Sequence, residues 1–196
     1  LLGLALLTSL GQDVGAPPQA GRRERGGGGP EREHEGGRTT GAADAAPSGW
    51  TEYEDPAGGW TISHPPDWEV VPDPLGDGSA TDFQDPSTGA YLRVDWTDEP
   101  SGADPVEAWE QQAQSFAAEH DGYEEITIEP TTYKGMDAAV WEFTYEEGGA
   151  QLHALDLGFV ASDDFAGALF LNTASDDWDS YQDDLEAFQA SFEPPR

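Results

Sequence analysis

The chain has no cysteine, one lysine and one methionine among its 196 residues. The absence of cysteine excludes disulfide frameworks, cysteine-based zinc sites, iron–sulfur clusters and thiol nucleophiles. Eight lysine and arginine residues stand against 40 aspartate and glutamate residues, which gives a formal net charge of −32. Nucleic-acid affinity depends on lysine and arginine side chains that neutralise phosphates. The composition therefore excludes a nucleic-acid groove.

Charge and aromatic residues are unevenly distributed along the chain. Residues 1–49 hold five arginines and six acids but none of the 21 aromatic residues. Residues 50–196 hold three basic residues, 34 acids and all of the aromatic residues. A segment of this length can bury its own hydrophobic core. We therefore place a domain boundary near Trp50 and expect one acidic globular domain over residues 50–196.

The first ten residues, LLGLALLTSL, form an uncharged apolar run. A membrane span needs about 20 apolar residues, so we interpret residues 1–10 as the distal part of a transmembrane helix. The alternative is the hydrophobic region of a signal peptide, with Val14-Gly15-Ala16 as a cleavage site that Pro17 disfavours. Residues 11–49 are rich in glycine, proline and arginine and lack Leu, Ile, Met and aromatic residues. This composition predicts a disordered tether. The five arginines of this segment favour a cytoplasmic position under the positive-inside rule, which largely ignores acids. The interleaved glutamates weaken any attraction to anionic lipid, so charge alone does not fix the orientation of the span.

Periodicity predicts strands and two helices in the acidic domain. Strands are expected at 50–54, 60–64, 81–84, 90–96, 125–129, 138–145, 151–160 and 166–173. The first four form two hairpins around turns that begin with Asp-Pro. Strands joined by hairpins, with one inserted helix and one terminal helix, predict an α+β domain whose mostly antiparallel sheet carries helices on its faces.

The expected helix boundaries rest on capping signals. Asp104 suits the N-cap of the first helix, with Pro105 at its first position, and Gly122 is expected to end it. The second helix carries an apolar stripe over residues 178–192 and is expected to be capped by Ser175 or Asp176.

Several segments of the acidic domain carry a resemblance to a known family. These segments are Trp50–Pro56 (WTEYEDP), Gly59–Trp68 (GWTISHPPDW), Tyr91–Val106 (YLRVDWTDEPSGADPV), Ala138–Tyr145 (AAVWEFTY) and Trp178–Pro194. They resemble the C-terminal extracytoplasmic domain of actinobacterial membrane-anchored serine/threonine protein kinases. The order of elements is also similar to a PsbP-like three-layer α/β/α sandwich. The resemblance implies a cytoplasmic kinase domain that precedes a single membrane span.

This chain itself carries no kinase motif. It has no His-Arg-Asp or Asp-Phe-Gly triplet, and Lys134 is its one lysine, so the catalytic elements of a kinase cannot be assembled from it. We expect no catalytic residue and no cofactor here. A hydrolase that uses His64 or His153 is a third, weaker reading, because neither histidine lies in a recognisable catalytic motif.

Two groups of residues are candidates for ligand contacts. Trp50, Trp60, Trp68 and Trp96 cluster in the first hairpins and could line an aromatic groove, but core or rim packing is favoured over it. Asp73, Asp77 and Asp82 could form a calcium loop. Their spacing fails the EF-hand pattern, so a solvated acidic loop is favoured and no metal is expected.

The functional expectation is a noncatalytic extracytoplasmic domain of a membrane-tethered receptor, a serine/threonine kinase by the resemblance above. Its ligand would be a small molecule, an envelope fragment or a protein. The alternative is a secreted or membrane-anchored PsbP-like binding protein without a kinase.

The acidity predicts a dependence on salt. Self-repulsion among so many acids destabilises a compact domain at low ionic strength, and the Debye length falls from about 10 Å at 0.1 M to about 3 Å at 1 M salt. We expect the melting temperature of the isolated 50–196 domain to rise between 0.1 and 2 M NaCl. An unchanged or falling melting temperature would contradict adaptation to salt.

Overall fold

The computed structural model describes residues 46–196. The predicted span at 1–10 and nearly all of the predicted tether lie outside the described residues. In the described part, nine strands, two α-helices and one 3₁₀ segment follow one another. In chain order they are β1 (Thr51–Glu54), β2 (Thr61–His64), β3 (Glu69–Pro72), β4 (Ala80–Gln84), β5 (Tyr91–Thr97), α1 (Pro105–Glu119), β6 (Glu124–Tyr133), β7 (Met136–Glu147), β8 (Ala150–Ser162), β9 (Phe165–Ala174), the 3₁₀ segment (Ser175–Tyr181) and α2 (Gln182–Ser191).

Seven strands form one antiparallel sheet in the order β3-β4-β5-β9-β8-β7-β6. Neighbouring strands are consecutive in sequence except β5 and β9, because α1 and strands β6 to β8 are inserted between them. Strands β1 and β2 form a separate hairpin, and Thr61 of β2 pairs with Glu193 near the chain end. The sheet and its two helices confirm the predicted α+β class.

Each face of the seven-stranded sheet is covered, which produces three layers. Helix α1 packs on β6, β7 and β8 through a stripe that includes the buried Trp109 and Phe116. On the opposite face, α2 contributes the buried Leu185 and Phe188 to the core that the β1–β2 hairpin completes. Neither helix of the described residues is long and apolar enough to cross a membrane.

The two sheet faces follow the alternation that the sequence predicts for strands. Trp141 and Phe143 of β7 are fully buried on the α1 side. Leu157 and Phe159 of β8 are buried on the α2 side. Along β9, Leu169 and Leu171 face α2 and Phe170 between them faces α1, so core residues of the two layers alternate within one strand.

The first helix begins where its capping signal predicts, but it ends earlier. Asp104 Oδ1 accepts hydrogen bonds from the backbone N–H groups of Val106 (2.9 Å) and Glu107 (3.3 Å). The helix ends at Glu119, and His120 is its extended C-cap (φ −119°, ψ 129°). Gly122 adopts the expected left-handed conformation (φ 65°), but it does so in the turn that follows the helix.

The predicted capping of the last helix by Ser175 or Asp176 is wrong. Residues Ser175–Tyr181 form 3₁₀ turns, and no side chain caps either the 3₁₀ segment or α2. A tertiary contact accounts for this, since Trp178 stacks on His153 of β8 with ring centroids 3.7 Å apart. Propensity and capping are weak determinants where such packing competes with them.

Strand β3 was not predicted. It lies at the edge of the sheet and ends in Pro72. Proline cannot donate to a strand ladder and is tolerated at sheet edges, so this short segment has only a weak strand signal of its own. It forms a strand because it pairs with β4, with Val70 opposite Phe83 and Val71 opposite Asp82.

Two turns that begin with Asp-Pro have the same construction. The N–H of Gly59 bonds to the Asp55 carbonyl (2.9 Å), and that of Gly89 bonds to the Asp85 carbonyl (2.8 Å). Each aspartate carboxylate also accepts backbone N–H groups within its own turn. Both glycines have positive φ (68° and 83°), which glycine adopts without strain. The predicted hairpins are confirmed, although β1 and β2 form a sheet of their own.

Lys134 fixes the end of α2. Its Nζ donates to the carbonyls of Ala190 (2.7 Å) and Phe192 (2.7 Å) and to Glu193 Oε1 (2.9 Å). The final carbonyls of a helix have no partner within the helix and carry partial negative charge. The single lysine of the chain thus ties the β6–β7 turn to the last helix.

We expect the Lys134→Met variant to lose about 1–3 kcal/mol of unfolding free energy, because the carbonyls lose a charged donor while the aliphatic stem is retained. Urea denaturation measures this loss. Glu193→Gln is the matched control, since it removes only an exposed ion pair worth about 0–1 kcal/mol. Equal losses in the two variants would show that the carbonyl contacts contribute nothing.

Candidate functional site

The four tryptophans considered as candidate ligand contacts lie against the core on the α2 side of the sheet. Trp60 and Trp68 are 0% and 7% exposed, whereas Trp50 and Trp96 are partly buried. Trp50 and Trp68 approach the ring of Phe188, with centroids 4.9 and 5.4 Å away. These contacts are those of the core-packing alternative, and a ligand groove at these tryptophans stays a prediction.

The three aspartates considered for calcium bind other groups. Asp73 Oδ1 accepts the N–H of Gly78 (2.8 Å). Asp77 Oδ1 accepts the hydroxyl and the N–H of Ser79, and these bonds lower the pKa of Asp77. Asp82 lies within β4 and is buried. Within residues 46–196, no group of three or more His, Asp and Glu side chains is arranged to hold a metal ion.

The two histidines considered for hydrolysis lie in separate environments. His64 Nδ1 lies 2.8 Å from the Pro65 carbonyl, so this nitrogen carries the proton that it donates. His153 Nε2 lies 2.8 Å from Glu142 Oε1. In the described part of the chain, no serine hydroxyl bonds to either ring, and no catalytic triad is formed.

A buried polar cluster lies at the centre of the sheet on the α1 side. We call it the central polar site and define it by five residues that are each at most 6% exposed: Asp82, Arg93, Asp95, Asp156 and Asn172. They belong to four strands, β4, β5, β8 and β9. The register places all five side chains on one face of the sheet. Arg93 pairs with Asp82 on one side and with Phe170 on the other, and Phe170 pairs in turn with Asp156. Asp95 and Asn172 share this face because each lies two residues along its strand from Arg93 or Phe170.

Arg93 and Asp82 form the bidentate ion pair of this site. Arg93 Nε lies 2.6 Å from Asp82 Oδ1, and Nη2 lies 3.0 Å from Oδ2. Burial opposes the charge of the guanidinium, but the hydrogen bonds and the charge of Asp82 outweigh burial and raise the pKa of Arg93. A buried ion pair needs this geometry to offset its desolvation.

Asp156 has no comparable partner. Its Oδ1 is buried without a hydrogen bond. Desolvation, and then the charge of Asp95, raise the pKa of Asp156 well above its usual value, and Arg93 opposes them only in part. A carboxyl group in this environment favours its neutral form.

Asn172 provides a second unsatisfied acceptor, since its Oδ1 is also buried without a partner. In the register, Asp156 lies opposite Phe170 and Asn172 lies opposite Ala154. The two acceptors are therefore diagonal neighbours on β8 and β9. The hydroxyls of Tyr91 and Tyr145 reach the Asn172 side chain, and burial raises the pKa of both.

The sequence carries a signal for this site. Arg93 and Asp95 flank Val94 in β5, and Asp156 stands between two leucines in β8. Charged residues at alternate positions of otherwise apolar strands indicate one polar face. The alternation predicts the face but not which strands meet there, because β5 and β9 are far apart in sequence.

A cleft of about 540 Å³ lies beside this face at the start of α1. Its lining includes Val106 of α1, Pro130 of β6, Asp137 of β7 and Val160 of β8. The indole of Trp109 lies over Gly158, where an added Cβ would approach it to 2.6 Å. Along β8, Gly158 separates the cleft-lining Val160 from Asp156.

Solved structures share this three-layer fold at low sequence identity. Cyanobacterial PsbP (CyanoP) from Synechocystis sp. PCC 6803 has a TM-score of 0.58 and 18% identity, over 80% of this chain and 97% of that chain. A protein of unknown function, PA94 from Pseudomonas aeruginosa, described as a putative regulator, has a TM-score of 0.54 and 14% identity, over 75% of this chain and 98% of that chain. LpqN of Mycobacterium tuberculosis, involved in cell envelope biogenesis, has a TM-score of 0.51 and 16% identity, over 74% of this chain and 92% of that chain. The chain thus has the PsbP-like fold.

The family follows from the sequence match. Residues 51–194 match the family described as the serine/threonine kinase C-terminal domain. The chain belongs to this family, as the resemblance in its strand and turn segments implied. No curated protein matches the chain significantly.

We expect the Asp156→Asn variant to be more stable than the parent chain above neutral pH. The folded state raises the pKa of Asp156, so the stability that its neutral form supports is present below the unfolded pKa of about 3.9 and is lost as pH rises through the folded pKa. Asparagine keeps the shape without the charge. A gain of about 1 kcal/mol corresponds to about 2–4 °C in melting temperature.

Melting temperatures at pH 5.5 and 8 measure this effect. The fall in melting temperature from pH 5.5 to pH 8 should be smaller in Asp156→Asn than in the parent chain. Asp164→Asn, which removes an exposed charge, should keep the parental loss. If Asp156→Asn also keeps it, Asp156 does not titrate as burial requires.

Proposed function

We propose that this chain is the noncatalytic, extracytoplasmic sensory domain of a membrane-anchored serine/threonine protein kinase. The family match supports the association with a kinase, and the absence of kinase motifs from the sequence supports a noncatalytic role. The apolar residues 1–10 and the glycine-rich residues 11–49 are suited to a membrane anchor and a tether.

The position outside the cytoplasm has one further support. The neighbour LpqN, which shares only the fold with this chain, is described as involved in cell envelope biogenesis.

The observation that carries the sensory role is the central polar site. Buried polar atoms in folded domains nearly always have hydrogen-bond partners, yet Asp156 Oδ1 and Asn172 Oδ1 have none. Such groups destabilise a domain unless something occupies the site. An ordered water or a donor group of a ligand can satisfy these two acceptors, and we place the ligand contacts of the sensory role at this face.

The site is also placed to transmit binding. Strand β5, which contributes Arg93 and Asp95, leads through residues 98–104 directly into α1. A ligand that pairs Asp156 stabilises β5, β8 and β9 together, because these strands are hydrogen-bonded neighbours. Any binding to the folded state raises its stability by mass action, and α1 covers the adjoining strands.

The location is tested with a single cysteine, since the chain has none of its own. Asp164→Cys lies in the exposed turn between β8 and β9. In intact cells that produce the membrane-anchored kinase, we expect a membrane-impermeant maleimide to label the peptide that carries residue 164.

Ala139→Cys is the matched control, because Ala139 is 0% exposed. It should be labelled only after denaturation, which shows that labelling of residue 164 reports an accessible folded domain. Labelling of residue 164 only after cell lysis would place the domain in the cytoplasm and overturn the proposal.

A further inference from the structure

We propose that the free edge of β6, together with the cleft at the start of α1, binds an extended peptide of a partner protein in which basic and small apolar residues alternate. Strand β6 (Glu124–Tyr133) ends the order of the seven-stranded sheet. Within residues 46–196, one side of its backbone therefore pairs with no strand. The inference goes beyond the proposed function, because a peptide can add to this edge whether or not the central polar site takes a ligand.

The turn after β6 fixes which of its backbone groups point outward. Lys134 and Gly135 both have positive φ (49° and 83°), as in a two-residue type I′ turn. The first carbonyl of such a turn accepts the N–H of the fourth residue, so Tyr133 and Met136 are a hydrogen-bonded pair of the β6–β7 ladder. Hydrogen-bonded and non-hydrogen-bonded pairs alternate along antiparallel strands. Every second residue of β6, counted back from Thr132, therefore turns its backbone groups away from β7.

The free edge is thus formed by Ile128, Pro130 and Thr132. Their carbonyls are three outward acceptors, and the N–H groups of Ile128 and Thr132 are two outward donors. Pro130 has no N–H, and its outward position explains how a proline lies inside β6 without loss of a bond to β7. In the described part of the chain, no backbone hydrogen bond outside the β6–β7 ladder engages these groups.

The cleft lies between this edge and the start of α1. Helix α1 packs on β6, and the cleft of about 540 Å³ is lined by Pro130 and Thr131 of β6 and by Pro105 and Val106 of α1, among others. An edge strand that adjoins a pocket offers main-chain hydrogen bonds to an added strand and a place for its alternate side chains. The lining side chains are small and include no aromatic ring, so the cleft suits a small aliphatic side chain.

The alternation of β6 separates an apolar side of the edge from an acidic side. Ile128 and Pro130 pair with Trp141 and Ala139, whose side chains lie in the α1-side core, so both lie on the face that holds the cleft. Glu129 between them lies on the opposite face and is exposed. A peptide residue opposite Pro130 therefore directs its side chain toward the cleft, and its two neighbours direct theirs toward the face of Glu129.

Charge selects a basic peptide over a second copy of this chain. Strand β6 carries three exposed glutamates, Glu124, Glu125 and Glu129. The basic residue that follows the strand, Lys134, is bound to the end of α2. Like charges opposite each other destabilise a strand pair, so two β6 edges repel each other. Basic side chains beside Glu129 are attracted by the same charges.

The length of the usable edge suits a short segment. Prolines and bulges protect sheet edges from extended pairing, and β6 has Pro130 and a bulge between Glu125 and Thr127. Ile126, which the bulge leaves without a partner in the register, is 52% exposed. Regular pairing is therefore confined to residues 127–132, and Ile126 can cover the end of the bound peptide.

The proposal is tested with a fluorescently labelled hexapeptide of alternating lysine and valine, acetylated and amidated at its ends. Opposite residues 127–132, its valines face the cleft and turn their backbone groups to the edge. We expect saturable binding to the purified 196-residue chain by fluorescence anisotropy in 0.1 M NaCl. Methylation of the valine nitrogens keeps the charge but removes the donors, so it should weaken binding at least about tenfold. A glutamate–valine hexapeptide should not bind.

Matched variants assign the binding to this edge. Thr132→Pro removes one outward N–H and no bond to β7, so it should weaken binding about threefold to tenfold. Glu129→Gln should weaken binding about threefold, since it removes a surface charge pair. Glu52→Gln removes an exposed charge from the β1–β2 hairpin and should leave binding unchanged.

Two results would overturn the proposal. Equal affinity of the methylated peptide, or of Thr132→Pro at an unchanged melting temperature, would show that charge alone holds the peptide. A concentration-dependent dimer that Thr132→Pro dissociates would assign the edge to a second copy. If Thr132→Pro lowers the melting temperature, the methylated peptide decides alone. None of these results affects the labelling experiment that tests the proposed location of the domain.

Discussion

Both faces of the seven-stranded sheet are covered, so each side chain of its central strands must find a partner inside the protein. On the α2 side this requirement is met by apolar packing around residues such as Phe188 and Leu171. On the α1 side, β4 and β5 bring a cation and an anion into register, and Arg93 and Asp82 neutralise each other. Trp60 Nε1 and Ser175 Oγ, outside the seven strands, have no protein partner, and within the strands the exception is the pair Asp156 Oδ1 and Asn172 Oδ1. The proposed function depends on that exception.

The scarcity of basic residues gives the same site its electrostatic character. Residues 50–196 contain only Arg93, Lys134 and Arg196 as permanent cations. Arg93 is bound to Asp82, and Lys134 is bound to the end of α2 and to Glu193. Both cations thus bind carboxylates or carbonyls of the folded domain, and at Asp156 the charge of Arg93 only partly opposes desolvation and the charge of Asp95. The surplus of acids in residues 50–196 accounts for the expected dependence of stability on salt.

Local signals in the sequence predicted local structure well. Asp104 caps α1, and the turns that begin at Asp55 and Asp85 form the expected hairpins, because their hydrogen bonds join residues close in sequence. Features set by distant contacts were missed. Strand β3 exists because β4 pairs with it despite Pro72, and the 3₁₀ segment that starts at Ser175 follows the stacking of Trp178 on His153. The central polar site was missed for the same reason. Its residues show the alternation of one strand face, but only the pairing of β5 with β9 brings Arg93 near Asp156.

A high-resolution crystal structure of the chain tests the central claim most directly. The account predicts the Arg93–Asp82 pair inside the sheet and a bound group or ordered water that donates, at about 2.7–3.2 Å, to Asp156 Oδ1 and Asn172 Oδ1. An Asp156 side chain exposed to solvent, or a direct hydrogen bond between Asp156 and Asn172 that satisfies both oxygens, would contradict it.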